Sequence, residues 1–204
     1  MKEKHIIIAA RILSVTFTPF YLPIVGLAAL FTLSYLSLTP LSYKLTVVLL
    51  TYLFTILLPS LLIRLYRHAM GWTRHELSRQ ERRAIPYLIS IACYFLCCHL
   101  MGRLHIPSFV AAILISALIV QIVCAIVNVW WKISTHTTAI GGVAGALVAF
   151  SQLFLFNPVW WLSLVLILAG MVGSSRMILR QHSLHQVVAG FLIGIPCGYS
   201  GFLV

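Results

Sequence analysis

Long apolar runs dominate the chain, and short polar stretches separate them. A helix needs about 20 consecutive apolar residues to cross the hydrocarbon core of a bilayer. The runs are too long for a transmembrane β-barrel, whose short segments alternate apolar and polar residues. The pattern therefore predicts an all-α protein, a polytopic transmembrane helical bundle of about seven spans. The expected spans run from about Ile12 to Leu38, Leu45 to Ile63, Ile85 to Met101, Pro107 to Trp131, Thr137 to Phe156, Pro158 to Gly173 and Ser183 to Val204.

Prolines and glycines refine this prediction. Pro19 and Pro23 interrupt the first span, so we expect it to kink or to start late. Glycines spaced four residues apart let helix backbones approach closely in a membrane, so we expect helix contacts at two sets of them. The sets are Gly141 with Gly145, and Gly190 with Gly194 and Gly198.

Composition supports the membrane class. Hydrophobic residues make up 61% of the 204 residues and charged residues only 8%, against about 25% charged in an ordinary soluble domain. So few charges cannot cover a soluble globule, and so many apolar residues exclude a disordered chain. We expect one integral membrane domain over residues 1–204. The five cysteines all lie in apolar runs and are expected to be buried hydrophobic residues.

The chain is strongly basic. It has 14 Lys and Arg, no Asp, and three acids, Glu3, Glu76 and Glu81, for a formal charge of +11. A hydrolase with paired carboxylates and a two-metal phosphatase both need acids that are missing here. The balance favours anionic partners, namely a lipid phosphate substrate and membrane lipids, and not nucleic acid. We therefore expect neither a metal nor another cofactor.

The cations also bear on topology. With seven spans, 12 of the 14 Lys and Arg fall on the amino-terminal side of the membrane, and only Lys44 and Arg103 fall on the other side. The positive-inside rule makes the amino-terminal side cytoplasmic in a cell (inner) membrane. Cations that belong to an anion site would weaken this inference.

One long polar loop, from Arg64 to Pro86, lies on that side. We expect an amphipathic helix along the interface. It is either an anchor to lipid headgroups, or it brings Arg79, Arg82 and Arg83 to an anionic ligand.

Two shorter polar segments on the same side carry the candidate chemistry. They are Trp131–Thr137 and Gly173–Gln186, and each puts a histidine at the start of the following helix. A phosphate-transfer site without metal needs fixed positive charge, a nucleophile and an acid for the leaving oxygen. Arg176 and Lys132 can supply the charge, and His136 and His182 can divide the other two roles. Helix amino termini add N–H donors for an anion.

These segments resemble a known family. Ser175-Arg176, five residues, His182, three residues and Gln186 resemble the third motif, SRxxxxxHxxxD, of the type-2 phosphatidic acid phosphatase and vanadium haloperoxidase superfamily. Ser134-Thr135-His136 resembles the second motif, PSGH. The order matches, with two spans between the motifs, and the resemblance covers about Lys132 to Val204.

The resemblance implies a six-helix core, here with one additional span, and substrates that are lipid phosphates or diphosphates. It implies that His182 attacks phosphorus to form phosphohistidine and that His136 protonates the departing alkoxide. Arg176 and Ser134, together with Ser175 beside the arginine, match phosphate-binding positions. Bacterial members of the family more often work outside the cytoplasm, against the charge bias described above.

Three departures from the family pattern stand out. Gln186 replaces the Asp that orients the nucleophilic histidine, and Ser183 with Gln186 also reads as a helix capping box. The first motif, KxxxxxxRP, is absent, and Lys132 or the cluster of Arg79, Arg82 and Arg83 could substitute for it. Ile133 and Thr135 replace the Pro and Gly of PSGH.

The sequence thus predicts a membrane lipid phosphatase, of the phosphoric ester or diphosphate hydrolase type. The alternatives are a lipid phosphotransferase with the same site, a degenerate homologue that binds lipid phosphate without turnover, and a small transporter. A zinc site formed by His136, His182 and His185 is a further alternative.

Overall fold

A computed structural model describes residues 2–71 and 84–203. All of its regular elements in this part of the chain are helical, which confirms the predicted fold class. The α-helices are α1 (Lys2–Thr16), α2 (Leu22–Leu33), α3 (Leu41–Tyr52), α4 (Leu58–Ala69), α5 (Ala84–Arg103), α6 (Ser108–Trp130), α7 (Thr135–Phe154), α8 (Val159–Ile178) and α9 (Leu184–Ser200).

Within residues 2–71 and 84–203, six helical segments are long and apolar enough to cross a membrane, and α9 adds a shorter apolar helix. The first segment combines α1 and α2, and the second combines α3 and α4, which a π-helical turn over Leu53–Leu57 joins. The protein is therefore a helical membrane protein with six to seven spans, as predicted. Of the Arg64–Pro86 loop, residues up to Ala69 continue α4, while Arg79, Arg82 and Arg83 lie outside the described residues.

The first span is broken, as its prolines predict. Helix α1 ends at Thr16, and Thr18 has an extended conformation (φ −66°, ψ 136°) immediately before Pro19. The ring of a proline clashes with a helical residue in front of it, so the residue before proline is pushed into extended geometry. Helix α1 begins at Lys2, however, about ten residues before the predicted start near Ile12.

Helices α7 and α9 form the closest helix pair of the bundle. A Cβ added at Gly141 would overlap the Phe191 carbonyl oxygen, and one added at Gly145 would overlap the Ile195 carbonyl oxygen. From the α9 side, a Cβ at Gly194 would overlap the Thr138 carbonyl oxygen. The glycines predicted to mediate helix contacts thus do so, and they let the two backbones touch.

The apolar core lies beside this pair. Its buried cluster is formed by α2, α3, α5 and α6 and includes Leu27, Leu30, Phe31, Val47, Cys97, Met101, Val110 and Leu114. Consecutive helices α6 to α9 are joined by short connections, so they run antiparallel. The start of α7, the end of α8 and the start of α9 therefore lie at one end of the bundle.

Candidate active site

The beginning of α7 is built from buried hydroxyl groups. Ser134 is fully buried, and its carbonyl oxygen accepts hydrogen bonds from Thr137 Oγ1 at 3.0 Å and Thr138 Oγ1 at 2.9 Å. A serine at this position usually caps the helix with its own Oγ, but Ser134 makes no such bond. Its Oγ has no hydrogen-bond partner among the described residues. The amino terminus of α7 therefore keeps a hydroxyl and backbone N–H groups suited to an anion.

Arg176 lies in the last turn of α8, where the sequence pattern had predicted a connecting segment. Its side chain is only 8% exposed, and its Nη1 donates to Ser14 Oγ at 2.6 Å. The carbonyl groups at a helix carboxyl terminus favour a positive charge there. A guanidinium presents planar paired donors that suit an anionic ligand.

His136 contacts the same serine. Its Nε2 lies 3.1 Å from the carbonyl oxygen of Ser14. Because a carbonyl oxygen can only accept, this contact requires that Nε2 carry the proton. The two sequence-predicted residues His136 and Arg176, on different helices, are thus brought together by one residue of α1.

Sequence reasoning missed Ser14. It is 7% exposed and faces inward beside Ala10, which is 3% exposed and lies one turn earlier on α1. Two small residues four positions apart are a known signal for close helix contact in membranes. The spacing of Ala10 and Ser14 was therefore the available signal, although it indicates packing and not chemistry.

His182 is held by Gln186. The Nδ1 atom of His182 lies 3.1 Å from Gln186 Oε1, and the backbone N–H of Ser183 donates to the same oxygen at 3.2 Å. An N–H group needs an acceptor, so the atom facing it must be the amide oxygen, and His182 Nδ1 must then be a donor. His182 Nε2 is left unprotonated in the neutral ring. Gln186 combines this contact with the predicted capping box of α9.

A tight turn connects Arg176 to His182. Arg180 has a left-handed backbone (φ 51°), and the N–H of Gln181 donates to the Arg176 carbonyl oxygen at 3.1 Å. These features end α8 and place His182, which is 7% exposed, directly before α9. At the other side of the site, a Cβ added at Gly190 would come within 3.0 Å of the Ser134 carbonyl oxygen. The first turns of α9 and the start of α7 are therefore in contact.

Three further predicted residues, Ser175, Lys132 and His185, differ in how deeply they are buried. Ser175 is buried, but its hydroxyl donates to the Met171 carbonyl oxygen at 2.8 Å. Lys132 is half-buried in the connection from α6 to α7, and His185 is exposed. Within residues 2–71 and 84–203, no three His, Cys, Asp or Glu side chains lie close enough to hold a metal ion. His136, His182 and His185 form no such group among these residues.

An apolar groove adjoins this site between α8 and α9. It has a volume of about 280 Å³, and its lining includes Thr137, Gly170, Gly173, Met177, Val187 and Phe191. Thr137 follows His136 in the chain, and Met177 follows Arg176. A Cβ added at Gly170 would have no neighbour within 4 Å, so this glycine leaves the groove open.

Comparison with known proteins adds no relative. No protein-family model matches the chain, and neither the curated proteins nor the solved structures gave a match.

Proposed function

We propose that the protein is a membrane lipid phosphatase that hydrolyses a lipid phosphomonoester or diphosphate through a phosphohistidine, without a metal. One observation carries the proposal. His136, with a proton on Nε2, and Arg176 meet at Ser14, while Gln186 holds His182 with its Nε2 unprotonated at the same end of the bundle. A proton donor, a buried cation and an unprotonated ring nitrogen are the groups that phosphoryl transfer requires.

In the first step, His182 Nε2 attacks phosphorus and forms a P–N bond. The bond from phosphorus to the lipid oxygen breaks, and the departing alkoxide takes the Nε2 proton of the His136 imidazolium, which becomes neutral and keeps its Nδ1 proton. Arg176 and the amino terminus of α7 hold the phosphoryl oxygens. The Gln186 oxygen accepts a hydrogen bond from Nδ1–H of the resulting cationic ring, although this bond is weaker than one to a carboxylate would be.

In the second step, water attacks the phosphohistidine. His136, now neutral and without its Nε2 proton, accepts a proton from that water. The P–N bond breaks, inorganic phosphate leaves, and both histidines return to their starting states. An alcohol in place of water would give a phosphotransferase.

The groove between α8 and α9 supports a lipid as the substrate. Its lining is mostly apolar, and two hydroxyl residues interrupt it: Thr137, which follows His136 in the chain, and Ser174. An acyl or prenyl chain in the groove would put its phosphate at the histidines. The site lies on the amino-terminal side of the membrane in this proposal.

Phosphate release from the purified full-length protein tests the proposal. We expect release from long-chain lipid phosphates with a metal chelator present, and inhibition by orthovanadate, which mimics five-coordinate phosphorus.

Gly170→Phe should lower the rate on long-chain substrates several-fold and leave short-chain, water-soluble phosphate esters unaffected, because the ring enters the groove and not the phosphate site. Gly170→Ala is the matched control. No release from any lipid phosphate, or release only with added metal, would refute the proposal.

A further inference from the structure

We propose that Ser14 is a positioning residue that prepares both His136 and Arg176 for the phosphate. This inference rests on the function proposed above. It concerns a residue on the first helix, outside both of the motifs that suggested the site. Its evidence is the pair of contacts that Ser14 makes with α7 and α8.

The contact with Arg176 fixes the guanidinium. The 2.6 Å bond between Nη1 and Ser14 Oγ is short, as expected when the donor is charged. Both side chains are at least nine-tenths buried, so solvent does not compete strongly for the bond. The guanidinium is planar and rigid, so the bond to Ser14 fixes the orientation of its five N–H donors.

The contact with His136 depends on where α1 ends. Ser14 lies in the last turn of α1, where the carbonyl groups lack the usual partner four residues later. Thr18, the residue that would supply this N–H, is extended before Pro19, and its hydroxyl donates to the Val15 carbonyl oxygen at 2.7 Å and, at the longer distance of 3.5 Å, to that of Ser14. The Ser14 carbonyl oxygen therefore lacks its helical N–H partner and accepts its shorter bond, at 3.1 Å, from His136. The proline that breaks the first span thus also provides an acceptor for the histidine.

The two contacts have a chemical consequence. The carbonyl acceptor requires a proton on Nε2 of His136, and the imidazolium, which carries protons on both ring nitrogens, is the form that can give this proton up and become neutral. The leaving oxygen of the substrate can then replace the carbonyl oxygen as the acceptor of that proton. Ser14 itself forms no bond to phosphorus, so its effect on phosphate binding should pass through Arg176.

Orthovanadate binding, measured by calorimetry on the full-length protein in detergent, tests this role without turnover. Ser14→Ala should bind vanadate about tenfold more weakly, because a hydrogen bond to a charged group is lost. Ser14→Thr keeps a hydroxyl and should bind like the wild type. Thr16→Ala is the matched control, since Thr16 is exposed on the same helix and its hydroxyl donates only to Ile12 at 3.0 Å.

A double-mutant cycle separates positioning from general damage. In an Arg176→Lys background, Ser14→Ala should weaken vanadate binding little further, because lysine lacks the planar guanidinium that Ser14 orients. Additive losses, an unchanged affinity in Ser14→Ala, an equal loss in Thr16→Ala, or a wild type that binds no vanadate would each overturn the proposal. Vanadate binding that depends on Ser14 in a protein that releases no phosphate would support the role of Ser14 while the hydrolase proposal fails.

Discussion

Replacing His182 by alanine should abolish phosphate release. The variant lacks the only nitrogen that we place in line with phosphorus, so no phosphoryl group can be transferred to the protein. Removing a nucleophile typically lowers kcat by roughly 10³-fold or more. Gln186 remains to cap α9 through the Ser183 N–H, so the helix should still form. The measurement is phosphate release, together with the thermal unfolding of each variant in detergent.

His136→Ala should behave differently. Its loss removes the proton donor. General acid catalysis typically raises the rate by about 10²–10⁴-fold, so the rate for a poor leaving group should fall by a similar factor. The aryloxide of an aryl phosphate can leave without a proton from an acid, so this variant should still release phosphate slowly from such a substrate. The dependence on the leaving group, measured on an alkyl and an aryl phosphate, distinguishes the two histidines.

Two matched variants complete this comparison. His185→Ala removes an exposed histidine of α9, three residues after His182, and should keep wild-type activity. Gln186→Asp keeps an acceptor oxygen for His182 Nδ1 and should preserve or raise the rate. Full activity in both His182→Ala and His136→Ala would rule out the mechanism, and a collapse in folded Gln186→Asp would show that the amide has a role of its own.

Gly194→Ala should separate α9 from α7 and cause a large loss of stability. The added Cβ would overlap the Thr138 carbonyl oxygen, and the Gly142 backbone nitrogen lies only 2.8 Å away. These atoms belong to the backbone and cannot rotate aside, so a whole helix has to move. We expect the free energy of unfolding to fall by about 3 kcal/mol, at the upper end of overpacking effects. Thermal unfolding in detergent measures the change.

The matched control is Gly170→Ala on α8. Its Cβ meets nothing within 4 Å, so the same substitution should be neutral or slightly stabilising through helix propensity. Phosphate release should fall in Gly194→Ala, because α7 carries His136 and His182 lies directly before α9. Equal stability of the two variants would contradict the packing described for this helix pair.

The sequence predicted the spans well because length and apolarity alone determine them. The sequence pattern places Ser175 and Arg176 in a polar connection, whereas α8 extends to Ile178. Their burial inside a helix is possible because Ser175 bonds to its own backbone and Arg176 finds Ser14. Local polarity cannot reveal partners that come from a distant helix.

The candidate site likewise contains residues that the sequence can identify and one that it cannot. His136, Arg176 and His182 could be selected because their spacing resembles a motif within one stretch of the chain. Ser14 could not, because its importance arises only when α1 packs against α8, and a single serine in an apolar run is unremarkable. The contribution of Arg79, Arg82 and Arg83 stays a prediction, because these residues lie outside the described part of the chain.

Trapping the covalent intermediate tests the central claim most directly. The purified His136→Ala variant, given an aryl phosphate labelled in its phosphoryl group and a metal chelator, should accumulate label, because the base for the second step is missing. We predict an acid-labile, alkali-stable label on the peptide that contains His182, and none when His182→Ala is added. Phosphate release without this label, or label on another residue, would contradict the account.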